Sequence, residues 1–338
     1  MPVAGQPRRR AGRALLTAVT VLALAFVAVA LVARAQPVSS IPRLILAVGS
    51  TFVPLAALVG LVLAIVGRRR ILAIVAVFLL TATLAIQVNW YVVSNPKNLA
   101  GPVAELRVLS SNLRYGRAEP TGFVKLAKEN ADVITVAELT PEAVERFNAA
   151  GLAETFPYSQ LIPRPGAGGI GLWSRYPLTE VTVPRHRSVS MPGGRIEVPG
   201  VELKPLVASV HVQSPVSGDT DTVDAWSNGM AEAKAQLDNF AREVGQAAVI
   251  VGGDYNSTPD MRQFRELLTN GYRDAVEQLG AGYAPTFRAN ADIPPLITID
   301  HILTRNAAAK SIKTVTVDGS DHRALLATIA VPLTAQAN

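Results

Sequence analysis

The chain has 338 residues, which is long enough for two domains that each bury a core. It contains no cysteine, and this excludes disulfide bonds, thiolate nucleophiles and cysteine-ligated zinc. The formal net charge of +6 is unevenly distributed, because residues 1–100 hold ten Lys and Arg and not one Asp or Glu, whereas residues 101–338 hold 22 basic and 26 acidic side chains. The C-terminal part therefore has a net charge of −4, which disfavours a nucleic acid as its partner.

Three nearly continuous apolar runs occupy residues 14–33, 44–66 and 71–93. Each is long enough to cross a hydrocarbon core of ~30 Å as a helix that rises ~1.5 Å per residue. Trp90 and Tyr91, near the end of the third run, are typical of interfacial anchors. We therefore predict that residues 1–93 form a membrane anchor with three transmembrane helices.

The placement of arginine predicts the orientation of this anchor. Four arginines precede the first run and three fill the turn at 68–70, whereas the loop between the first two runs carries only Arg34 and Arg43. The positive-inside rule then puts the N-terminus and the 68–70 turn in the cytoplasm and everything after residue 93 outside. Residues 33–35, Ala-Arg-Ala, also resemble a signal-peptide cleavage site, and the 68–70 turn predicts the same final location if cleavage occurs.

Residues 94–105 contain two Pro, one Gly and two Asn, a composition typical of a short linker. From residue 106 to residue 331, short apolar strands alternate with helices, and residues 332–338 form a tail. We predict strands at 106–111, 132–138, 168–174, 194–203, 206–212, 247–253, 297–303, 312–317 and 324–331, and helices at 120–130, 141–150, 226–244 and 260–269. Many strands and few helices predict two sheets packed face to face with helices outside.

Polar side chains lie at or near the ends of several of these strands, and one Asp-His pair lies inside an apolar run. Strands in a packed sheet bring their ends to common edges. The candidates are Asn112, Glu138, His211, Asp254, Asn256, the Asp300-His301 pair and the Asp321-His322 pair. Carboxylates, carboxamides and imidazoles without cysteine suit a hard cation such as Mg²⁺. Asp254 and Asn256 are two residues apart, so on an extended chain they point to one side. The carboxylate can then take a proton from water while its neighbour holds the substrate or a metal-bound oxygen.

The Gly-rich segment RPGAGGIG at 164–171 is not followed by a helix or by Lys-Ser/Thr. It therefore lacks the features of a phosphate-binding P-loop, and we predict a turn that enters a strand.

Together these residues carry a resemblance to a known family. Asn112, Glu138, GLWSRYPL (171–178), His211, GGDYN (252–256), IDH (299–301) and SDHR (320–323) resemble, in that order, the endonuclease/exonuclease/phosphatase superfamily. The three preceding helices resemble a membrane-anchored bacterial branch that includes the teicoplanin-resistance-type proteins of actinobacteria. The resemblance implies an α/β fold, a four-layer sandwich of two mixed β-sheets flanked by helices and preceded by three transmembrane helices. It also implies hydrolysis of phosphoric esters with Mg²⁺ or Mn²⁺.

The resemblance also implies a role for each candidate residue. The implied metal ligands are Glu138, as the principal one, with Asn112 and Asp321. The implied catalytic residues are Asp254 on the attacking water, Asn256 on the phosphate, His322 paired with Asp300, and His211 on the phosphate or the leaving group. The chain departs from the family pattern at Arg114, where some nucleases carry Asp, and at the Val-Ala pair before Glu138, where Gln is common.

The sequence thus predicts a metal-dependent phosphohydrolase, integral to the cell membrane, with its catalytic domain outside and a lipid-linked phosphate or pyrophosphate as substrate. An extracytoplasmic nuclease or nucleotide phosphatase is an alternative, although nucleic acid is the weaker partner. A non-catalytic resistance module that sequesters a ligand is a third reading. Arg114, Arg175 and Arg323 are candidates for contact with an anionic head group.

Overall fold

The structure is a computed structural model that describes residues 6–181, 188–217, 222–289 and 294–335. The N-terminal helices are α1 (Gln6–Ala35), α2 (Ile41–Gly49), α3 (Val53–Val66) and α4 (Arg70–Tyr91). Three helical segments are long and apolar enough to cross a membrane: Ala11–Ala35, Ile41–Val66 and Arg70–Tyr91. The three long apolar helices predicted from the sequence are therefore present.

The second of these segments is interrupted in its middle. A 3₁₀ turn over Ser50–Phe52 separates α2 from α3, and Pro54 lies in the first turn of α3. Proline has no N–H to donate and its ring collides with the carbonyl four residues earlier, so an uninterrupted α-helix is disfavoured here. Membrane helices tolerate such a break because neighbouring groups satisfy the freed backbone atoms.

The C-terminal unit contains helices and two sheets. Its helices are α5 (Pro120–Asn130), α6 (Pro141–Ala149), α7 (Leu152–Thr155), α8 (Thr222–Val244), α9 (Arg262–Leu267) and α10 (Ala275–Leu279). Its strands are β1 (Val103–Asn112), β2 (Val133–Ala137), β3 (Tyr158–Ile162), β4 (Ile170–Ser174), β5 (Leu178–Val181), β6 (Val189–Ser190), β7 (Gly193–Ile196), β8 (Leu206–Val212), β9 (Val249–Asp254), β10 (Arg273–Asp274), β11 (Asp300–Arg305), β12 (Ala308–Thr316) and β13 (Arg323–Pro332).

Both sheets are mixed. The first has the order β12-β13-β1-β2-β4-β3, and its single parallel pair among the described strands is β1 with β2. The second has the order β10-β11-β9-β8-β7-β5, with β6 also paired to β8, and its parallel pair is β8 with β9. In each sheet the parallel pair is central, so the carboxyl ends of two neighbouring strands lie side by side.

The two sheets pack face to face and helices cover their outer faces. Between the sheets, apolar side chains such as Leu106, Val207 and Ile302 are fully buried, and the Ser209 hydroxyl donates to the carbonyl oxygen of Val136 at 3.1 Å. Outside the first sheet, Phe123 of α5 stacks on Phe147 of α6. Outside the second sheet, α8 buries one apolar face. The predicted sandwich of two mixed sheets flanked by helices is confirmed.

Several predicted boundaries are wrong for identifiable reasons. The strand predicted at 194–203 ends at Ile196, because Pro199 lacks an N–H and Gly200 has φ 77° in the turn that follows. The helix predicted from residue 260 begins at Arg262. The strand predicted at 297–303 begins at Asp300. The sequence pattern also missed the strands β3, β5, β6 and β10. Of these, β6 and β10 have only two residues each, too few for an alternation to be visible.

Candidate active site

The parallel centre of the first sheet brings Asn112 and Glu138 together. Asn112 ends β1 and is paired with Ala137, so Glu138 comes directly beyond the neighbouring strand end. The Asn112 side-chain amide donates to Glu138 Oε1 at 3.1 Å and to Asp254 Oδ2 at 3.0 Å. Asn112 therefore joins the two sheets at the point where the acidic side chains converge.

The second sheet places three candidates in one row across neighbouring strands. Asp254 at the end of β9 is paired with His211 on the parallel strand β8 and with Asp300 on the antiparallel strand β11. His211 Nε2 lies 4.0 Å from Asp254 Oδ2. Because paired residues of adjacent strands project their side chains to the same face, these three groups share one site.

Asp254 is buried, and both of its oxygens are engaged. Oδ2 accepts from the amide of Asn112, and Oδ1 accepts from the backbone N–H of Asn256 at 2.8 Å. Burial and the nearby Asp300 carboxylate raise the pKa of Asp254 to about 6, against the lowering effect of His322 and His211. A carboxylate with such a pKa can exchange a proton near neutral pH.

His322 is held in one orientation by its neighbours. Its Nδ1 is hydrogen-bonded to Asp300 Oδ2 at 2.8 Å, and its Nε2 lies 3.9 Å from Asp254 Oδ2. Burial lowers the pKa of His322, but the charge and hydrogen bond of Asp300, aided by Asp254 and Asp321, outweigh it and raise the pKa to about 10. The predicted pairing of His322 with Asp300 is present in the structure.

Glu138 is anchored by an unusual stretch of backbone. The segment Arg114–Gly116 has positive φ at all three positions, and the Tyr115 backbone N–H donates to Glu138 Oε2 at 2.6 Å. Glu138 itself has φ 58°, a left-handed conformation that is costly for a residue with a side chain. Both turns therefore aim this carboxylate into the site.

Gly169 supports Glu138 from behind. Its carbonyl oxygen accepts from the N–H of Leu139 at 3.1 Å, and a Cβ at this position would lie 1.7 Å from the Leu139 carbonyl oxygen. The predicted turn entering a strand is present here, because a 3₁₀ turn over Gly166–Gly168 leads into β4. The glycine is required by this close approach of two backbone segments.

Asn256 reaches the site in a different way from that expected. The chain is not extended at this residue, since φ is 46° and its N–H closes a turn onto the Asp254 side chain. Its side-chain amide nitrogen donates to the carbonyl oxygen of Val212 at 2.9 Å, and this hydrogen bond fixes the orientation of the side-chain amide. Asp254 and Asn256 nevertheless line the same cleft.

This cleft has a volume of about 840 Å³. The candidate residues that line it are Glu138, His211, Asp254, Asn256, Asp321 and His322. Arg164 and Arg288 also line it and supply positive charge for an anionic ligand. Asn112 and Asp300 act from behind, through their hydrogen bonds to Asp254 and His322. A volume of this size accommodates a ligand much larger than a phosphate group.

The donor set fits a hard divalent cation. Glu138 and Asp321 offer half-buried carboxylates to the cleft, and carboxylate oxygen is the preferred ligand of Mg²⁺ and Mn²⁺. Asn112 differs from its predicted use, because its nitrogen faces Glu138 and Asp254 and its oxygen accepts from the N–H of Arg114 at 2.8 Å. In this arrangement it positions the two acids, and its assignment as a ligand stays a prediction.

A second possible cation group lies deeper. Ligand atoms of Asp254, Asp300 and His322 lie within 4.8 Å of one another and are all buried. Both Asp254 oxygens are, however, already engaged with Asn112 and Asn256, and Nδ1 of His322 and Oδ2 of Asp300 are engaged with each other. Glu138 and Asp321 are therefore the better candidates for direct metal contact.

The remaining histidines have other positions. His301 follows Asp300 on β11, so its side chain points to the opposite face, where Nδ1 is 2.8 Å from Asp274 Oδ2 and Nε2 is 3.0 Å from the Ser257 carbonyl oxygen. It is a buried structural partner and does not line the cleft. His186, which the sequence did not assign to the site, lies outside the described residues.

The three arginines proposed for anion contact have different positions in the structure. Arg175 donates to the carbonyl oxygens of Ala131 and Lys128, so its guanidinium is used in the fold. Arg323 belongs to β13 and is absent from the described lining of the cleft. Arg114 Nε lies 3.9 Å from Asp321 Oδ2, which keeps this arginine beside the site.

Sequence reasoning missed three supports of the site. The Ser320 hydroxyl donates to the Asn112 carbonyl oxygen at 2.7 Å and accepts from the N–H of His322 at 3.0 Å. The Phe287 ring lies 4.8 Å from the His322 ring, and the two residues form a β-bridge. Tyr115 contributes through its backbone. Ser320 was visible as part of SDHR, but Phe287 carries no sequence signal that would associate it with His322.

Comparison with known proteins agrees with this geometry. A family model described as "Endonuclease/Exonuclease/phosphatase family" matches residues 109–322. An endonuclease/exonuclease/phosphatase family protein from Bacteroides thetaiotaomicron superposes with a TM-score of 0.53 and 14% identity, over 69% of this chain and 100% of that chain. No curated protein matches the sequence.

Two further solved structures have the same fold. Humanized D. rerio TDP2 superposes with a TM-score of 0.51 and 19% identity, over 67% of this chain and 98% of its own. A functionally unknown conserved protein from Enterococcus faecalis superposes with a TM-score of 0.52 and 17% identity, over 67% of this chain and 100% of that chain. At these identities the likeness establishes a shared fold and leaves the substrate to be argued from the site.

Proposed function

Because the chain belongs to the endonuclease/exonuclease/phosphatase family, we propose that it is a metal-dependent phosphohydrolase anchored in the cytoplasmic membrane, with its active site outside. One observation carries this proposal above the others. The buried Asp254 carboxylate, with a pKa of about 6, lies within 4.0 Å of both His211 and His322 in an open cleft. A structural ion pair needs no such access to a ligand.

The proposed reaction is hydrolysis by in-line attack of water on phosphorus. The water oxygen bonds to phosphorus as the bond from phosphorus to the leaving oxygen breaks. Asp254 accepts the proton of the water, since a pKa of about 6 leaves it ionised yet basic at neutral pH. His322, which is protonated at neutral pH because its pKa is about 10, supplies the proton that the leaving oxygen needs.

The other residues bind and orient the phosphate. Asn256 is assigned to the phosphate oxygens through its amide, and His211 to the phosphate or the leaving oxygen. Asp300 holds His322 by the 2.8 Å bond to Nδ1, which fixes the orientation of the ring. Glu138 and Asp321 are the residues that would hold Mg²⁺ or Mn²⁺. When bound, that cation would supply positive charge to the phosphate oxygens.

The proposed substrate is a lipid-linked phosphate or pyrophosphate at the outer leaflet. Its support is the three apolar helices together with the short segment that separates α4 from β1. The arginine distribution supports the outer side. The resemblance to the membrane-anchored, teicoplanin-resistance-type branch supports a substrate of the cell envelope and a role in antibiotic resistance.

A hydrolysis screen tests the proposal directly. The full chain in detergent with Mg²⁺ is incubated with undecaprenyl pyrophosphate, a lipid phosphodiester and single-stranded DNA. For the pyrophosphate the assay follows phosphate release, and for the other two it follows their cleavage products. Hydrolysis of a lipid substrate is expected, and it should stop with EDTA. Preference for DNA would instead establish the nuclease alternative. Tight binding without turnover of any ester would establish the sequestering module.

A further inference from the structure

We propose that the cleft recognises an amphiphilic phosphoester, whose aliphatic chain lies on an apolar wall beside the catalytic residues. This inference rests on the proposed function and specifies the chemistry of its substrate. The reacting phosphate must lie near Asp254 and His322, but the cleft has a volume of about 840 Å³. The rest of the substrate therefore has to contact the other walls, and their chemistry selects it.

Exposed apolar side chains are concentrated at this cleft. In the described part of residues 103–335, six large apolar side chains are at least 36% exposed, and three of them line the cleft: Tyr115 at 52%, Ile162 at 36% and Val216 at 67%. The cleft is a small part of the surface of this unit. Exposed apolar surface grouped in this way marks a ligand or interaction site.

One wall adjoins His211. The short strand β6 is paired with the end of β8, so that Ser190 lies opposite His211 and Val189 opposite Val212. Val189 and Met191 line the cleft here but are almost fully buried, at 5% and 3% exposed. The exposed apolar surface of this part of the lining is therefore that of Val216, which follows β8.

A second wall adjoins Glu138. Tyr115 is fixed there by its N–H bond to the Glu138 carboxylate. Ile162 ends β3, and two residues later the Arg164 N–H donates to the Leu139 carbonyl oxygen at 3.0 Å. Since Leu139 follows Glu138 in the chain, Ile162 is also close to the site. Exposed apolar side chains therefore line the cleft near Glu138 as well as after β8.

The residues favour an aliphatic chain over a nucleobase. Ile162 and Val216 are aliphatic, and their burial is favourable only against an apolar group. A nucleobase would be recognised chiefly by aromatic stacking. Of the Phe, Tyr and Trp residues in the described lining, Phe287 packs on the His322 ring at 4.8 Å and Tyr115 has the Arg117 guanidinium 5.9 Å from its ring centre. A nucleotide substrate remains as an outcome of the test.

The test uses the full chain in lipid nanodiscs with Mg²⁺. The monoester substrates are ethyl, butyl and hexyl phosphate. The diester substrates carry a p-nitrophenyl group and an ethyl, butyl or hexyl group on one phosphate, and adenosine 5′-monophosphate is the nucleotide. From the value of ~0.8 kcal/mol for each fully buried CH₂, partial burial of a hexyl chain should raise kcat/KM by about tenfold over the ethyl ester. Ile162→Ser and Val216→Ser should each reduce this rise by about threefold or more.

The matched control is Tyr158→Ser. Tyr158 lies on the same strand as Ile162 and is 39% exposed, but it does not line the cleft. Its substitution should leave the dependence on chain length unchanged. If the esters are hydrolysed but kcat/KM does not rise with chain length, or if the nucleotide is preferred, the proposed apolar wall is wrong and the proposed phosphohydrolase activity is still supported. Absence of hydrolysis of every ester with Mg²⁺ and with Mn²⁺ would overturn both.

Discussion

Asp254 and His322 are neighbours in the site, with Nε2 of His322 3.9 Å from Oδ2 of Asp254, and variants of the two distinguish an enzyme from a binding module. If both act in one chemical step, Asp254→Asn and His322→Ala should each lower kcat by roughly 10²–10⁴-fold. The double variant should cost far less than the product of the two, because residues that act as a unit are not additive. KM should change little. The measurement is steady-state kinetics of the full chain on the best substrate of the screen.

Circular dichroism of each variant serves as the control for folding. Variants that retain wild-type rates would show that the GGDYN and SDHR segments are structural. Variants that lose ligand affinity, beside a wild type that hydrolyses no ester, would instead favour the sequestering module.

Activity is expected to depend on a divalent cation bound at Glu138. EDTA should abolish activity, and Mg²⁺ or Mn²⁺ should restore it. Glu138→Gln keeps the shape of the side chain and removes its charge, so activity should fall about 10²-fold or more and the metal concentration needed for half-maximal activity should rise. Glu142→Gln, at an exposed glutamate in the first turn of α6, is the matched control. Full wild-type activity in EDTA would refute the metal mechanism.

The turn before β4 packs against the backbone next to Glu138. A Cβ at Gly169 would lie 1.7 Å from the Leu139 carbonyl oxygen, so Gly169→Ala must displace the backbone next to Glu138. We expect a loss of roughly 1–3 kcal/mol in stability, as for other overpacked sites, together with a large loss of activity. Thermal unfolding and kinetics of the full chain measure these effects.

Gly168→Ala is the control in the same turn, because its nearest atom would be Arg164 Cδ at an ordinary contact distance of 3.5 Å. This variant should resemble the wild type. If Gly169→Ala behaves in the same way, the turn is not what holds Glu138.

The histidines of β11 and β8 have different surroundings. His301 is buried between Asp274 and the Ser257 carbonyl oxygen, so His301→Ala should leave two buried acceptors without a donor and cost about 3 kcal/mol of stability. His211→Ala removes a half-buried side chain from the cleft and should lower activity with little effect on stability. Melting temperatures and kcat of both variants check this. The opposite pattern would reverse the two assignments.

The whole molecule has a predicted orientation that can be measured by itself. Seven arginines on the N-terminal segment and the 68–70 turn, against two on the intervening loop, predict that the C-terminus is outside. A reporter that is active only outside the cytoplasm, fused after residue 338, should therefore be active. A reporter that works only in the cytoplasm should be inactive there. The reverse result would contradict the proposed location and the outer-leaflet substrate.

Much of this protein was determined by its sequence alone. Three apolar runs required three long helices, because their side chains offer no polar face to water. The cap of α6 was also local, since Thr140 accepts from the Ala143 N–H and Pro141 begins the helix. Asp254 could be recognised as a candidate because it follows a buried apolar strand, and Asp300 because it interrupts an apolar run.

Only the tertiary structure decided how these candidates are used. The pairing of β8, β9 and β11 brought Asp254 beside Asp300, and the packing of two sheets brought Asn112 onto Asp254. The left-handed turns at Arg114–Gly116 and at Asn256 depend on contacts with distant segments, which no local propensity encodes. The partners of His301 and His322 were likewise decided by strand alternation and long-range packing, because adjacent residues on one strand face opposite sides of the sheet.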